Sequence, residues 1–212
     1  DKEQVLDDMM KVIVHRGPDS AGKYVNDQVA LGFRRLSIID LENGSQPMFN
    51  EDGEVGIVFN GEIYNSPELR ERFQAKGHVF KNSSDTETLV HGYEEYGEKL
   101  VHELRGMFGF AIWDNKKKRL FMARDFFGIK PIYYAMVHGN LVFGSEIKSI
   151  LEFPGFKKEV NNEALEEYLS FQYSNLKETF FKGVYRLLPG HYLTYQNGEL
   201  NVTQYFDPTL EP

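Results

Sequence analysis

The sequence has 212 residues, 41% of them hydrophobic and 26% charged, an ordinary balance for a globular protein able to bury a core. A net charge of −8 argues against a broad nucleic-acid surface, and the absence of cysteine excludes disulfides, thiolate zinc sites and iron–sulfur clusters. No apolar run approaches the roughly 18 residues of a membrane span, and no signal-peptide pattern opens the chain.

The 17 Phe and 12 Tyr favour strands over a helical bundle. The first residues, Asp1-Lys2-Glu3-Gln4, lack an initiator Met and read as an excised piece of a longer chain. Cysteine-free composition fits a reducing compartment, and a cytoplasmic location is expected.

Val5, Leu6, Met9, Met10 and Ile13 recur at helical spacing and predict a helix from about Gln4 to Val14, which His15-Arg16-Gly17-Pro18-Asp19 ends. Val29 to Phe33 and Leu36 to Ile39 read as two short strands or one bent strand, with Arg34 and Arg35 between them. Val55 to Phe59 reads as a buried strand closed by Asn60-Gly61-Glu62-Ile63-Tyr64-Asn65. Ser66-Pro67-Glu68 is a helix start, with Ser66 as N-cap, and that helix runs to about Lys76-Gly77. A second helix begins near Ser84-Asp85, where Ser84 and Glu87 have capping-box spacing, and ends near Gly97. A third spans about Glu98 to Leu104.

Hairpins follow: Met107 to Trp113 with Arg119 to Ala123, Pro131 to Met136 with Asn140 to Phe143, and Tyr192 to Tyr195 with Glu199 to Val202. Glu146 to Leu151 and Asn162 to Phe171 look helical, and Pro208 to Pro212 looks like the edge of a domain. Hairpins after a block of helices indicate an α+β layered fold. No phosphate-binding loop motif is present. With no repeat and no clear linker, residues 1–212 read as one domain.

Four positions stand out together as candidates to carry chemistry. Asn60 offers a side-chain amide and Gly61 an unhindered backbone N–H, two donors suited to the oxyanion of an acyl transfer, where losing one costs about 2.7–4 kcal/mol of barrier. Arg35 can grip a carboxylate bidentately and Asp85 can pair an ammonium, so the set fits an amino acid. Each also has a structural alternative: Arg35 as a surface charge, Asp85 as an N-cap, Asn60-Gly61 as a turn. Arg124-Asp125 reads as a turn-anchoring ion pair, His15-Arg16 as a brace behind the first helix, and Lys116-Lys117-Lys118 as a solvated hairpin tip.

His15-Arg16-Gly17-Pro18-Asp19, Arg35-Leu36-Ser37-Ile38-Ile39-Asp40, Gln46-Pro47, Asn60 to Asn65, Ser84 to Glu87, Arg105 to Phe108, Arg124 to Pro131 and Leu188-Pro189-Gly190 resemble, in order, the N-terminal glutaminase domain of glutamine-dependent asparagine synthetases. The resemblance implies a class II amidotransferase domain of the N-terminal-nucleophile hydrolase fold, a four-layer αββα sandwich of two antiparallel sheets. It assigns the α-carboxylate of L-glutamine to Arg35, the α-ammonium to Asp85 with Gly61 and Glu62 lining that end, and the oxyanion to Asn60 and Gly61.

It also implies a nucleophilic cysteine on a strand ahead of the first helix, so this chain is expected to lack nucleophile and base and to be inactive alone. No cofactor or metal is expected in this domain; ATP and Mg belong to a C-terminal synthetase domain of the parent chain, which uses the ammonia to amidate aspartate. A homo-oligomer is compatible with this reading, and nucleic acid or membrane is not expected as a partner. Two other readings stand beside it: a class II amidotransferase with another acceptor, and a non-catalytic domain that binds glutamine or a partner.

Overall fold

A computed structural model describes residues 1–36, 45–174 and 176–209. The expected strand at Leu36 to Ile39 therefore falls largely outside the described residues, as do the last three residues of the chain.

Asp1 caps the first helix by accepting from the Glu3 amide, so α1 runs Lys2–Lys11 and a 3₁₀ turn at Val14–Arg16 replaces its expected last turn. A hairpin follows, β1 (Ser20–Val25) with β2 (Ala30–Arg35). The chain then forms β3 (Met48–Phe49), β4 (Val55–Ile63), α2 (Ser66–Ala75), α3 (Asp85–Tyr96) and α4 (Leu100–Glu103). Two hairpins come next: β5 (Gly106–Asp114) with β6 (Arg119–Arg124), and β7 (Tyr133–Val137) with β8 (Asn140–Gly144). The remainder is α5 (Ile147–Leu151), α6 (Asn162–Phe171), β9 (Val184–Arg186), β10 (His191–Gln196) and β11 (Glu199–Gln204).

Six strands form one antiparallel sheet in the order β11-β10-β6-β5-β4-β3. Alternation across its central strands divides the core in two. Ile57, Phe59, Phe108, Phe110, Ile112 and Phe121 face α2, α3 and α4, where they meet Leu69, Phe73, Leu89 and Leu104. Ala111, Trp113, Leu120, Met122 and Leu193 face the opposite way, onto Leu31 of β2 and Tyr134, Leu141 and Phe143 of β7 and β8. Behind that second layer, Ala135, Val142 and Val184 pack on Ile147 and Ile150 of α5 and Met9 of α1. The order is helix, sheet, sheet, helix, as expected. The second layer comes in two pieces, β1-β2 and β8-β7-β9, rather than one continuous sheet among the described residues. Phe73 is fully buried in the helix–sheet layer, and truncating it to Ala is worth about 3–5 kcal/mol.

Three local expectations change. β4 does not end at Phe59; it continues through Asn60-Gly61-Glu62, paired with Gly109, Phe108 and Met107. The turn preference of Asn-Gly yields because β5 passes so close that a Cβ on Gly61 would lie 2.0 Å from the Met107 carbonyl oxygen. Ser66 is not an N-cap: its hydroxyl sits 2.9 Å from that of Thr88, in the α2–α3 interface. Ser84 does cap α3, accepting from the Thr86 amide, but Glu87 turns away from it to accept the Lys81 and Asn82 amides.

Arg124 and Asp125 anchor the turn that follows them through backbone groups and not as an ion pair. Arg124 donates to the Lys130, Leu187 and Gly128 carbonyls. Asp125 accepts from the amides of Phe108, Phe127, Ile129 and Lys130. Lys116 is exposed at its hairpin tip but reaches Asp52 at 2.5 Å. His15, Arg16 and Lys148 converge on Glu146, which ties the 3₁₀ turn to the start of α5.

Candidate active site

Between the two sheet layers lies a cleft of about 1980 Å³. Arg35, Asn60, Gly61, Glu62 and Asp85 all line it, so the fold places the five candidate site residues on one cleft. They arrive from three places: the end of β2, the far half of β4, and the first turn of α3.

Arg35 is fixed by the backbone beneath it. The Asp19 amide donates to its carbonyl at 3.0 Å. Gly17 is buried against the same stretch, where a Cβ would lie 2.3 Å from the Arg34 carbonyl carbon. The His-Arg-Gly-Pro-Asp loop thus holds the end of β2 in place.

The geometry of β4 follows from register. Tyr64 donates to the Arg105 carbonyl and Asn115 to that of Glu54, so the even-numbered residues of β4 spend their amides on β5. The odd-numbered amides point to the other edge. There Met48 and Phe49 of β3 pair only with Ile57 and Gly56, and beyond them side chains take over. Phe59 N donates to Gln46 Oε1 at 2.6 Å, and Gln46 Nε2 returns a bond to the Phe59 carbonyl at 3.1 Å. Ile63 N donates to Asp85 Oδ2 at 2.9 Å. Gly61 N lies between these two and has no acceptor among the described residues. Beside it, Asn60 follows the alternation onto the cleft face, and its amide makes no hydrogen bond to a described residue. Two donors are left open at one point of an otherwise satisfied edge.

Asp85 is the first residue of α3 and not its cap, which is Ser84. Burial pushes its carboxyl above the usual range and the nearby Glu62 charge adds to this, while the Ile63 and Thr86 amides only partly offset it. No cation forms an ion pair with Asp85 or Glu62 among the described residues. The cleft thus carries a guanidinium on the β2 wall and two carboxylates at the β4–α3 corner, with the Asn60-Gly61 donors between the strands.

Gln46 is a site-shaping residue that sequence reasoning quoted but gave no role. It substitutes for a strand neighbour at Phe59, and its Nε2 also lies 3.4 Å from Thr86 Oγ1, at the start of α3. Asn65 closes the same motif structurally, donating to the Glu103 carbonyl and accepting from the Arg105 amide. The Asn60-to-Asn65 motif is half site and half scaffold.

The layering is that of the N-terminal-nucleophile hydrolase fold. Solved structures with this arrangement include a glutamine phosphoribosylpyrophosphate amidotransferase from B. subtilis, at a TM-score of 0.65 and 18% identity over 96% of this chain and 46% of that one. A second, described as the allosteric regulatory enzyme of purine biosynthesis, gives a TM-score of 0.67 at 18% identity, with 96% of this chain and 46% of that one covered.

The glutamine amidotransferase domain family matches residues 1–206, and the chain belongs to it. It is 44% identical to asparagine synthetase [glutamine-hydrolyzing] 1 of Bacillus subtilis (strain 168), over 100% of this chain and 34% of that protein. Another relative, amidase chyE of Penicillium rubens, is 40% identical over 89% of this chain and 27% of its own length. The chain spans about a third of the length of the curated relatives it matches. No helix among the described residues is long and apolar enough to cross a membrane.

Proposed function

We propose that this chain is the glutamine-hydrolysing part of an asparagine synthetase, converting L-glutamine and water to glutamate and ammonia. Arg35 holds the α-carboxylate, Asp85 the α-ammonium with Glu62 beside it, and Asn60 and Gly61 stabilise the oxyanion that forms on the side-chain carbonyl. The single observation that carries this reading is the pair of open donors, Gly61 N and the Asn60 amide, in a cleft with a cation on one wall and carboxylates at one corner. The 44% identity to a glutamine-hydrolysing asparagine synthetase supports the choice of substrate.

The sequence contains no cysteine, so in this reading the attacking thiolate and its base come from outside these 212 residues, and the chain alone does not turn over glutamine. Its own residues bind the substrate, orient it and stabilise the developing charge. The ammonia passes to a synthetase domain of the parent protein, where ATP and Mg support amidation of aspartate.

Calorimetric titration with L-glutamine tests the binding half of this reading. The expected result is a single site whose affinity falls about 10–100-fold in Arg35→Ala, the equivalent of one lost charge-assisted hydrogen bond. Binding unchanged in that variant contradicts the assignment.

A further inference from the structure

Away from the cleft, on the outer helical layer, four side chains from separate parts of the sequence turn toward one point. Glu51 comes from the β3–β4 connection, His78 from the α2–α3 connection, and His91 and Glu94 from α3. One donor atom from each lies within 4.8 Å of all the others. His91 Nδ1 is 3.0 Å from Glu94 Oε2 and 3.6 Å from Glu51 Oε2, while His78 Nδ1 is 3.6 Å from Glu94 Oε2. Nitrogen and oxygen ligands around tetrahedral zinc, at about 2.0–2.2 Å from the metal, stand roughly 3.3–3.6 Å apart. Those three contacts are already close to that, and every pair of the four lies within 4.8 Å.

The outer atoms of these groups are held from behind. Asn50 Nδ2 donates to Glu94 Oε1 at 2.6 Å, and the Val79 amide donates to Glu51 Oε1 at 3.1 Å, which leaves each Oε2 for the centre. His78 Nε2 lies 3.0 Å from Glu95 Oε1. His91 is only 1% exposed, and its Nε2 is buried with no hydrogen-bond partner; the nearest acid there is Glu87, 3.9 Å away. Both imidazoles present Nδ1 to the same point, and His78 has the Glu95 carboxylate hydrogen-bonded behind it. A carboxylate behind a ligating histidine is the arrangement that fixes its tautomer and orientation toward a metal.

We propose that Glu51, His78, His91 and Glu94 form a four-coordinate zinc-type metal site. Two imidazoles and two carboxylates suit zinc better than magnesium or calcium, which prefer all-oxygen shells. Four protein ligands fill the coordination sphere, so the site is structural. Bound metal clips both connections to α3, the helix whose first turn carries Asp85.

The test uses the full 212-residue chain, freed of purification tag, stripped with chelator and titrated with Co2+ and then Zn2+. The expected result is one Co2+ per chain with the visible bands of a tetrahedral complex, bleached by stoichiometric Zn2+ and untouched by excess Mg2+, and a higher unfolding temperature with Zn2+. His78→Gln and Glu51→Gln, at the two ligands that come from connections outside α3, are expected to abolish the tetrahedral bands. Glu95→Gln removes no ligand and is expected to weaken binding about 10–100-fold by releasing His78. The proposal is overturned if wild-type chain shows no saturable Co2+ or Zn2+ binding, or if binding survives His78→Gln and Glu51→Gln unchanged.

Discussion

Gly61 and Phe108 face each other across β4 and β5, and their amides go to opposite fates. They form a non-hydrogen-bonded pair, so each N–H points away from the other. Phe108 N donates to Asp125, whose carboxylate also accepts three amides of the turn after β6. Gly61 N points to the opposite edge, between the Phe59 amide taken by Gln46 and the Ile63 amide taken by Asp85. One side gathers amides around an acid of the chain itself and is saturated. The other places Gln46 and Asp85 on either side of an amide that has no acceptor among the described residues. Groups that satisfy one another act as scaffold, whereas half-buried donors left over on a cleft wall are placed to meet a ligand.

The largest expected effect is on the open side. In a full-length protein carrying this domain, Asn60→Ala is expected to slow glutamine hydrolysis about 10²–10³-fold while synthesis from added ammonia persists. Glutamate release and asparagine formation measured side by side check this, and equal loss of both would make Asn60 part of the scaffold. On the saturated side the effect falls on stability. Asp125→Ala is expected to lower the unfolding free energy by about 1–3 kcal/mol for the stranded Phe108 amide alone, read by denaturant titration.

Asp85 gives the finer contrast. Its carboxyl titrates above the usual range, so its contribution to folding is fully present below the ordinary Asp value of 3.8 and is lost as pH rises through the elevated folded value. At neutral pH the ionised group opposes folding, and Asp85→Asn is expected to hold or raise the unfolding midpoint. L-Glutamine affinity moves the other way with pH: protonation of Asp85 removes the partner of the α-ammonium. Binding should therefore weaken on acidification earlier than an ordinary carboxylate would dictate. A pH series of titrations checks both signs, and a flat profile contradicts the assignment.

Much of the frame was legible in the sequence. The β5–β6 hairpin and α6 are read nearly residue for residue, because each has a continuous pattern bounded by turn or capping residues. β3 and β9, two and three residues long, are too short to show any periodicity. The sequence ends β4 too early because Asn-Gly looks like a turn locally, and only the glycine-permitted approach of β5 overrides it.

Within the site, residue types were legible and their meeting was not. Arg35, Asn60 and Asp85 lie on three elements far apart in sequence, and only the packing of two layers and α3 places them around one cleft. Which edge the Gly61 amide faces depends on register parity, which no residue type encodes. The Glu51-His78-His91-Glu94 cluster went unread for a similar reason: its spacing matches no compact metal motif.

Amide hydrogen exchange along β4 tests the central claim most directly, followed by NMR in the chain with and without L-glutamine. Phe59, Ile63 and Phe108 are expected to be strongly protected, and Gly61 between them to exchange far faster until glutamine is added. Protection of Gly61 equal to that of its neighbours in the free chain would contradict an open donor at the site.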